Sequence, residues 1–171
     1  FLSGGVDSSV VSAVCAAALK EKGERLTTFS FDFTENDKYF KANSFQPSQD
    51  RPYVDKMVDF IGSDHHYLEC SNTTQADLLT RSVDAHDLPC MADIDSSLQY
   101  FCEKVSHTHK VVLTGECADE VFGGYPWFHR QEMLSSGTFP WTPSLEPRKV
   151  LLSPSLVEEL RMEDYVAEVY H

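Results

Sequence analysis

The chain has 171 residues, a single domain or part of one and long enough to bury a core, and 42% of them are hydrophobic. With 27 acidic against 14 basic residues its formal net charge is −13, which excludes a surface built to hold nucleic acid, because a phosphate backbone would be repelled. No apolar run suits a membrane span or a secretory signal, and the five cysteines form no C-x-x-C pair, so reduced thiols, a cytoplasmic location and no structural zinc are expected.

The first nine residues, Phe1-Leu2-Ser3-Gly4-Gly5-Val6-Asp7-Ser8-Ser9, carry the strongest chemical signal. Two apolar residues end a strand and Gly4-Gly5 makes a tight turn. The apolar period then predicts a helix over 8–22, with Val10, Val11, Val14, Ala17 and Ala18 as its stripe and Gly23 as its stop. A strand, turn and helix start of this kind aim free N–H groups and the positive end of the helix dipole at one point, an anion site suited to phosphates. Ser3, Ser8 and Ser9 add hydroxyl donors. Asp7 is repelled by phosphate unless a cation lies between them, and Mg²⁺ bridging the two resolves the conflict. No Gly-Lys-Ser/Thr and no G-x-G-x-x-G is present, so neither the common P-loop nor a dinucleotide fingerprint fits. Only two residues of strand precede the turn where about five are usual, so a longer first strand and a longer protein are expected.

Alternation predicts a strand over 28–33, starting as early as Leu26, and a loop over 34–49. A helix follows from about Pro52 to Ile61, stopped by Gly62, then a short strand over 65–70 and a helix over 73–85. A loop over 87–93 around Pro89 leads to a helix capped by Asp95 or Ser96 and running to about Val105. Lys110 to Thr114 reads as a buried central strand, and 126–154 as an irregular stretch that turns helical from Ser155. Alternating strands and helices predict an α/β fold, a largely parallel sheet flanked by helices, with ligands beyond the carboxyl ends of its strands.

A second glycine-containing segment, 114–124, also follows a predicted strand. Gly115 permits a close backbone approach to a base or ribose, and Asp119 can give the magnesium a second carboxylate. Asp119 and Glu120 also suit a helix start as acids that complement the dipole. His65-His66 and His107-x-His109 lack a third ligand and are expected at a surface or strand edge. Asp93 and Asp95 are expected to cap a helix rather than line an amino-acid pocket.

Ser-Gly-Gly-Val-Asp-Ser at 3–8 resembles the PP-loop of ATP pyrophosphatases. Leu-Ser-Gly-Gly-Val-Asp-Ser-Ser at 2–9, with Thr-Gly-Glu-Cys-Ala-Asp-Glu-Val-Phe-Gly-Gly-Tyr at 114–125, resembles the synthetase domain of glutamine-hydrolysing asparagine synthetases. The strand at 29–33 and Gly-Ser-Asp-His-His-Tyr at 62–67 fall where that family has a strand and a Gly-x-x-His-His segment. The resemblance implies a Rossmann-like adenine nucleotide alpha hydrolase fold, with residues 1–125 as the PP-loop nucleotide-binding core and 126–171 as an irregular, then helical extension.

The resemblance implies ATP-dependent activation of aspartate to β-aspartyl-AMP, release of pyrophosphate, and attack by ammonia, which a glutaminase domain of the parent chain supplies from glutamine. Ser3, Gly4, Gly5, Asp7 and Ser8 would then hold pyrophosphate, with Ser9 beside them, while Leu2, Phe31, Thr114 and Gly115 complete the ATP site. Asp7 and Asp119 would bind Mg²⁺, and Glu116 would face the acyl-adenylate and its acceptor, making Glu116 and Asp119 the catalytic pair. A homodimer is left open. Cys117 stands where the family has Gly and is not read as a nucleophile. The lysine that the family places in its later helical part has no match here, Lys149 included, so this stretch alone is expected to bind ATP without making asparagine. Two alternatives remain: a β-lactam-synthetase-like enzyme that adenylates another carboxylate, and a non-catalytic ATP-binding module.

Overall fold

The computed structural model describes residues 1–43, 46–89 and 91–171, without the side chains of Ala92 and Asp93, and it divides into two units, Phe1–Glu116 and Cys117–His171. In the first unit, helix α1 (Val6–Glu21) begins at the Gly4-Gly5 turn, and Gly23 at φ 73° follows its end. Its rotation differs from the expected one. Ser8 and Ser12 face inward, while Val10 and Val14 are 56% and 65% exposed. The Ser8 hydroxyl is bonded into the turn, which fixes this arc of the helix inward and turns the valines away.

Strand β1 (Thr27–Phe33) follows, and the expected loop after it contains one short helix, α2 (Asn36–Tyr39), entered through Glu35 at φ 62°. Residues 44 and 45 of that loop lie outside the described residues. Helix α3 (Arg51–Ile61) carries Pro52 in its first turn and ends on Gly62 at φ 66°, as the glycine and proline positions predict. Strand β2 (Asp64–Cys70) pairs with β1 in parallel, from Thr27 opposite Asp64 to Phe33 opposite Cys70. Ser71 caps α4 (Asn72–His86) by accepting from Thr74 N–H at 3.0 Å.

Helix α5 (Ala92–Ser106) starts earlier than expected. Asp95 caps from inside the helix, its Oδ2 accepting Met91 N–H at 3.0 Å, and Ser96 is fully buried. The Asp93 side chain and Cys90 lie outside the described residues. Phe101 of α5 stacks on Phe31 of β1 with centroids 4.3 Å apart, joining helix to sheet. Phe101 and Val105 join Leu2, Phe29, Val54 and Cys70 as the buried apolar core, where full burial of a large aliphatic or aromatic side chain stabilises by about 1.5–3 kcal/mol.

The expected central strand over 110–114 is absent. The segment forms no ladder, and Val111 and Leu113 are 81% and 59% exposed. Its neighbour is the two-residue stretch Phe1-Leu2. Leu2 N–H donates to Phe29 O at 2.9 Å and the Phe1 amino group to Leu113 O at 2.6 Å. One such bond cannot hold a strand register, whatever the apolar content of the segment.

At the other end of β1, Thr28 Oγ1 donates to Ser63 Oγ at 2.9 Å and lies 2.8 Å from His65 Nδ1. With the Thr28 proton committed, Nδ1 is the protonated nitrogen, and buried Nε2 has no partner among the described residues. Burial pushes the His65 pKa below its ordinary value; His66 and Arg51 also disfavour the cation, while Asp55 favours it. Well above the ordinary value of about 6.5 the residue is neutral in both states and contributes no pH dependence. Below that the unfolded chain takes up the proton first, so stability falls until the lowered folded pKa is reached. Melting curves between pH 7.5 and 5.5 should therefore show a falling Tm in the wild type and a shallower fall in His65→Gln. Equal slopes would remove His65 from the acid response.

In the second unit, α6 (Ala118–Phe122) is entered through Cys117 at φ 67°. A non-glycine residue pays about 1–2 kcal/mol in that region. A 3₁₀ turn (Pro126–Phe128) and two four-residue helices, α7 (Gln131–Leu134) and α8 (Glu146–Lys149), interrupt the irregular stretch. Ser153 caps α9 (Pro154–Leu160), and α10 (Met162–Tyr170) follows, matching the expected helical tail. Lys149 pairs with Glu163 and, at 3.1 Å, with Glu146, and these bonds raise its pKa.

Candidate functional site

The turn before α1 uses its two glycines differently. Gly4 lies at φ 79°, and a Cβ there would stand 2.8 Å from Tyr53 Cβ and 3.0 Å from both Asp50 O and Val54 N. The protein itself therefore requires Gly4, pressed against the first turn of α3. A Cβ on Gly5 would meet only Ser3 Oγ, at an ordinary 3.5 Å. Among the described residues nothing demands a glycine there; the space it clears faces a cavity.

Ser8 is 6% exposed, and its hydroxyl accepts Ser3 N–H at 3.1 Å, donates to Gly5 O at 3.2 Å and lies 2.9 Å from Ser3 Oγ. It staples the turn rather than standing free for a ligand. Ser3 is exposed, and its Oγ accepts Gly5 N–H at 3.4 Å. Among the described residues no side chain caps α1, so the N–H groups of Val6, Asp7 and Ser8 keep the open valence of a helix start. Ser9 N–H already bonds Gly5 O at 3.1 Å.

Gly115 closes the other wall. A Cβ on it would stand 2.7 Å from Ser8 N and 2.9 Å from Asp7 C and Cβ, so only a glycine lets the 114–116 backbone lie against the start of α1. Glu116 N–H donates to Thr114 Oγ1 at 3.2 Å. Ser3, Gly5, Asp7, Ser8, Thr114, Gly115 and Glu116, with Phe1, line one cavity of about 310 Å³. Seven of the residues singled out from the sequence thus meet in one place, two segments separated by more than a hundred residues of chain.

A second cavity of about 290 Å³ shares Phe1 and Ser3 and holds Leu2 and Phe31. Leu2 is 1% exposed, with its N–H bonded to Phe29 O and its carbonyl accepting from the Ser30 hydroxyl. The Phe31 ring is gripped between Phe1, edge-on at 4.6 Å, and Phe101. Gly4 and Ser9 line neither cavity, and Asp119 belongs to the second unit. Asn36, Gln49 and Asp50 also line this second cavity, and the sequence reading passed over them because a polar loop has no periodicity. Burial pushes the Asp50 carboxyl above its ordinary pKa, against a hydrogen bond from Gln46, and the charge of Asp32 adds to the rise.

Among the described residues no three His, Cys, Asp or Glu side chains converge as a metal centre. A magnesium–nucleotide site does not need such a cluster, because one or two carboxylates complete a shell made of phosphate oxygens and water. Asp7 on the cavity wall, beside the space cleared by Gly5 and the open helix start, fits that arrangement. Two of the histidines meet an aromatic ring: His66 stacks on Phe29 at 5.3 Å and lies 3.6 Å from Asp64, and His109 meets Phe29 edge-on at 5.3 Å. Among the described residues no helix is long and apolar enough to cross a membrane.

The family model for asparagine synthase matches residues 1–171. The chain is 46% identical over 171 residues to glutamine-hydrolyzing asparagine synthetase 3 of Bacillus subtilis (strain 168), covering 99% of this chain and 28% of that protein. It is 30% identical over 138 residues to glutamine-hydrolyzing asparagine synthetase 2 of Oryza sativa subsp. japonica, covering 75% of this chain and 21% of that protein. With amidase chyE of Penicillium rubens it shares 28% identity over 150 residues, 85% of this chain and 22% of that protein. The chain thus spans less than a third of the length of these relatives.

Proposed function

We propose, from the premise that this chain belongs to the asparagine synthase family, that it is the nucleotide-binding part of an ATP-dependent ligase forming asparagine from aspartate. The observation that carries the reading is the cavity in which Ser3, Gly5, Asp7 and Glu116 meet at the uncapped start of α1. The parallel β1–β2 pair, with the turn after Leu2 at the same sheet end as Phe31, supports a PP-loop ATP pyrophosphatase fold.

In this reading the β-carboxylate of aspartate attacks the α-phosphorus of ATP, the bond to the β,γ-pyrophosphate breaks, and β-aspartyl-AMP forms. Ammonia then adds to the acyl carbon, the acyl C–O bond of the mixed anhydride breaks, and AMP leaves with its bonding pair. The open N–H groups at the start of α1 and the Ser3 hydroxyl receive the negative charge that develops on the departing pyrophosphate. Asp7 would hold Mg²⁺, with Asp119 as the second carboxylate that the family resemblance implies, and the bound ion would neutralise part of that charge. Glu116, on the opposite wall, holds the incoming amine and takes up its proton. Leu2, Phe31 and Gly115 would border the adenosine, with Thr114 beside them in the ATP site; the cavities they line support this. Ammonia comes from glutamine through a glutaminase domain of the parent chain, in the cytoplasm.

ATP–pyrophosphate exchange by the full-length parent tests the reading. Exchange that requires aspartate is the expected result. Exchange driven by another carboxylate would move the substrate, and Mg·ATP binding without exchange on any acid would reduce the site to a binding module.

A further inference from the structure

Helix α6 ends on Gly123 at φ 70°, and the chain then doubles back so that Gly124 N–H donates to Asp119 O at 3.0 Å. This return carries Gly124 Cα under the Asp119 side chain. A Cβ on Gly124 would overlap Asp119 Oδ1 and stand 3.0 Å from Asp119 Cγ and 3.4 Å from Asp119 Cα. The next carboxylate is held separately: the Tyr125 hydroxyl donates to Glu120 Oε1 at 2.9 Å, with its ring stacked on Trp127 at 4.2 Å.

The two glycines answer different needs. Gly123 takes a left-handed conformation, whereas Gly124 is not among the glycines at positive φ. Conformational freedom therefore explains Gly123 and not Gly124; what the second position requires is the missing volume. We propose that Gly124 is a positioning residue for Asp119, its bare Cα letting that carboxylate lie over the turn in the rotamer from which it binds a divalent cation. The proposal rests on the reading of Asp119 as a magnesium ligand. The atom a new Cβ would strike is the tip of a side chain. An alanine is therefore accommodated by swinging the carboxylate aside, with the fold kept and the ligand lost.

The test is Mn²⁺ binding to the full-length parent in the presence of ATP, followed by electron paramagnetic resonance and paired with melting curves. Gly124→Ala is expected to weaken Mn²⁺ binding about 10–100-fold, the usual effect of disturbing a group that orients a metal ligand, with Tm within about 2 °C of wild type. Asp119→Ala should show a comparable loss, and the double variant no more than Asp119→Ala alone, since the two changes remove one interaction. Wild-type Mn²⁺ affinity in Gly124→Ala beside a loss in Asp119→Ala overturns the proposal. So does an additive loss in the double variant, or a loss that only tracks a lowered Tm. Wild-type affinity in Asp119→Ala removes the metal assignment itself, a separate failure.

Discussion

Gly115→Ala in the full-length parent is expected to lower ATP–pyrophosphate exchange by about 100-fold, the scale of an ångström-sized misplacement at a reacting centre. The new methyl would stand 2.7 Å from Ser8 N and 2.9 Å from Asp7 C and Cβ, atoms of the chain backbone and its first branch that cannot rotate away. Ser8 cannot yield alone, because its hydroxyl binds both Ser3 N–H and Gly5 O, so displacing it displaces the whole turn. The stability cost should be that of an overpacked contact, about 1–3 kcal/mol. Gly5→Ala is the useful contrast, since among the described residues its methyl meets only Ser3 Oγ, at 3.5 Å. Exchange rates and melting curves on both variants separate the cases. Unimpaired exchange in Gly115→Ala would mean that the 114–116 wall is not held against the helix start during the reaction.

Element boundaries were legible wherever a local residue decides them. Gly23 and Gly62 sit at positive φ just past α1 and α3, and the alternation of Phe29, Phe31 and Phe33 marks β1. What misled was information carried by distant partners. The valine stripe of α1 has helical spacing, but spacing says nothing about which arc faces in; that is decided by Ser8, tied to Ser3 and Gly5. Lys110 to Thr114 has strand composition, yet composition cannot supply neighbours, and one bond from Phe1 reaches Leu113. The start of α5 moved because Asp95 caps equally well from within the first turn by reaching back to Met91 N–H.

The residues of the candidate site were nameable from two short motifs because each sets glycines and carboxylates directly after a short apolar run, an unusual combination. Their division of labour was not. Ser8 looks in sequence like a free hydroxyl donor and is spent on the turn. Gly4 and Gly5 look alike, yet one is required by α3 and the other leaves room on the cavity side. Asp50 reaches the second cavity only because α3 begins beside the Gly4 turn, a proximity that no period in residues 34–49 announces.

Asp7→Asn is expected to cut exchange by at least about 100-fold, as removal of one preorganised electrostatic group does, through a change of sign in how the site treats charge. Asn keeps the Cβ that packs near Gly115 and the shape of the side chain, and it forfeits only the first-turn acid of α1, worth about 0.3–1 kcal/mol. In the wild type the carboxylate repels bare phosphate and attracts it when Mg²⁺ lies between. Removing the charge should therefore weaken Mg·ATP binding and strengthen binding of metal-free ATP at the same cavity. Calorimetry with excess Mg²⁺ and then with a chelator reads both arms on one preparation. Opposite shifts are the signature of a carboxylate that works through a cation. Parallel losses would instead assign Asp7 to the shape of the turn and take the metal away from this wall.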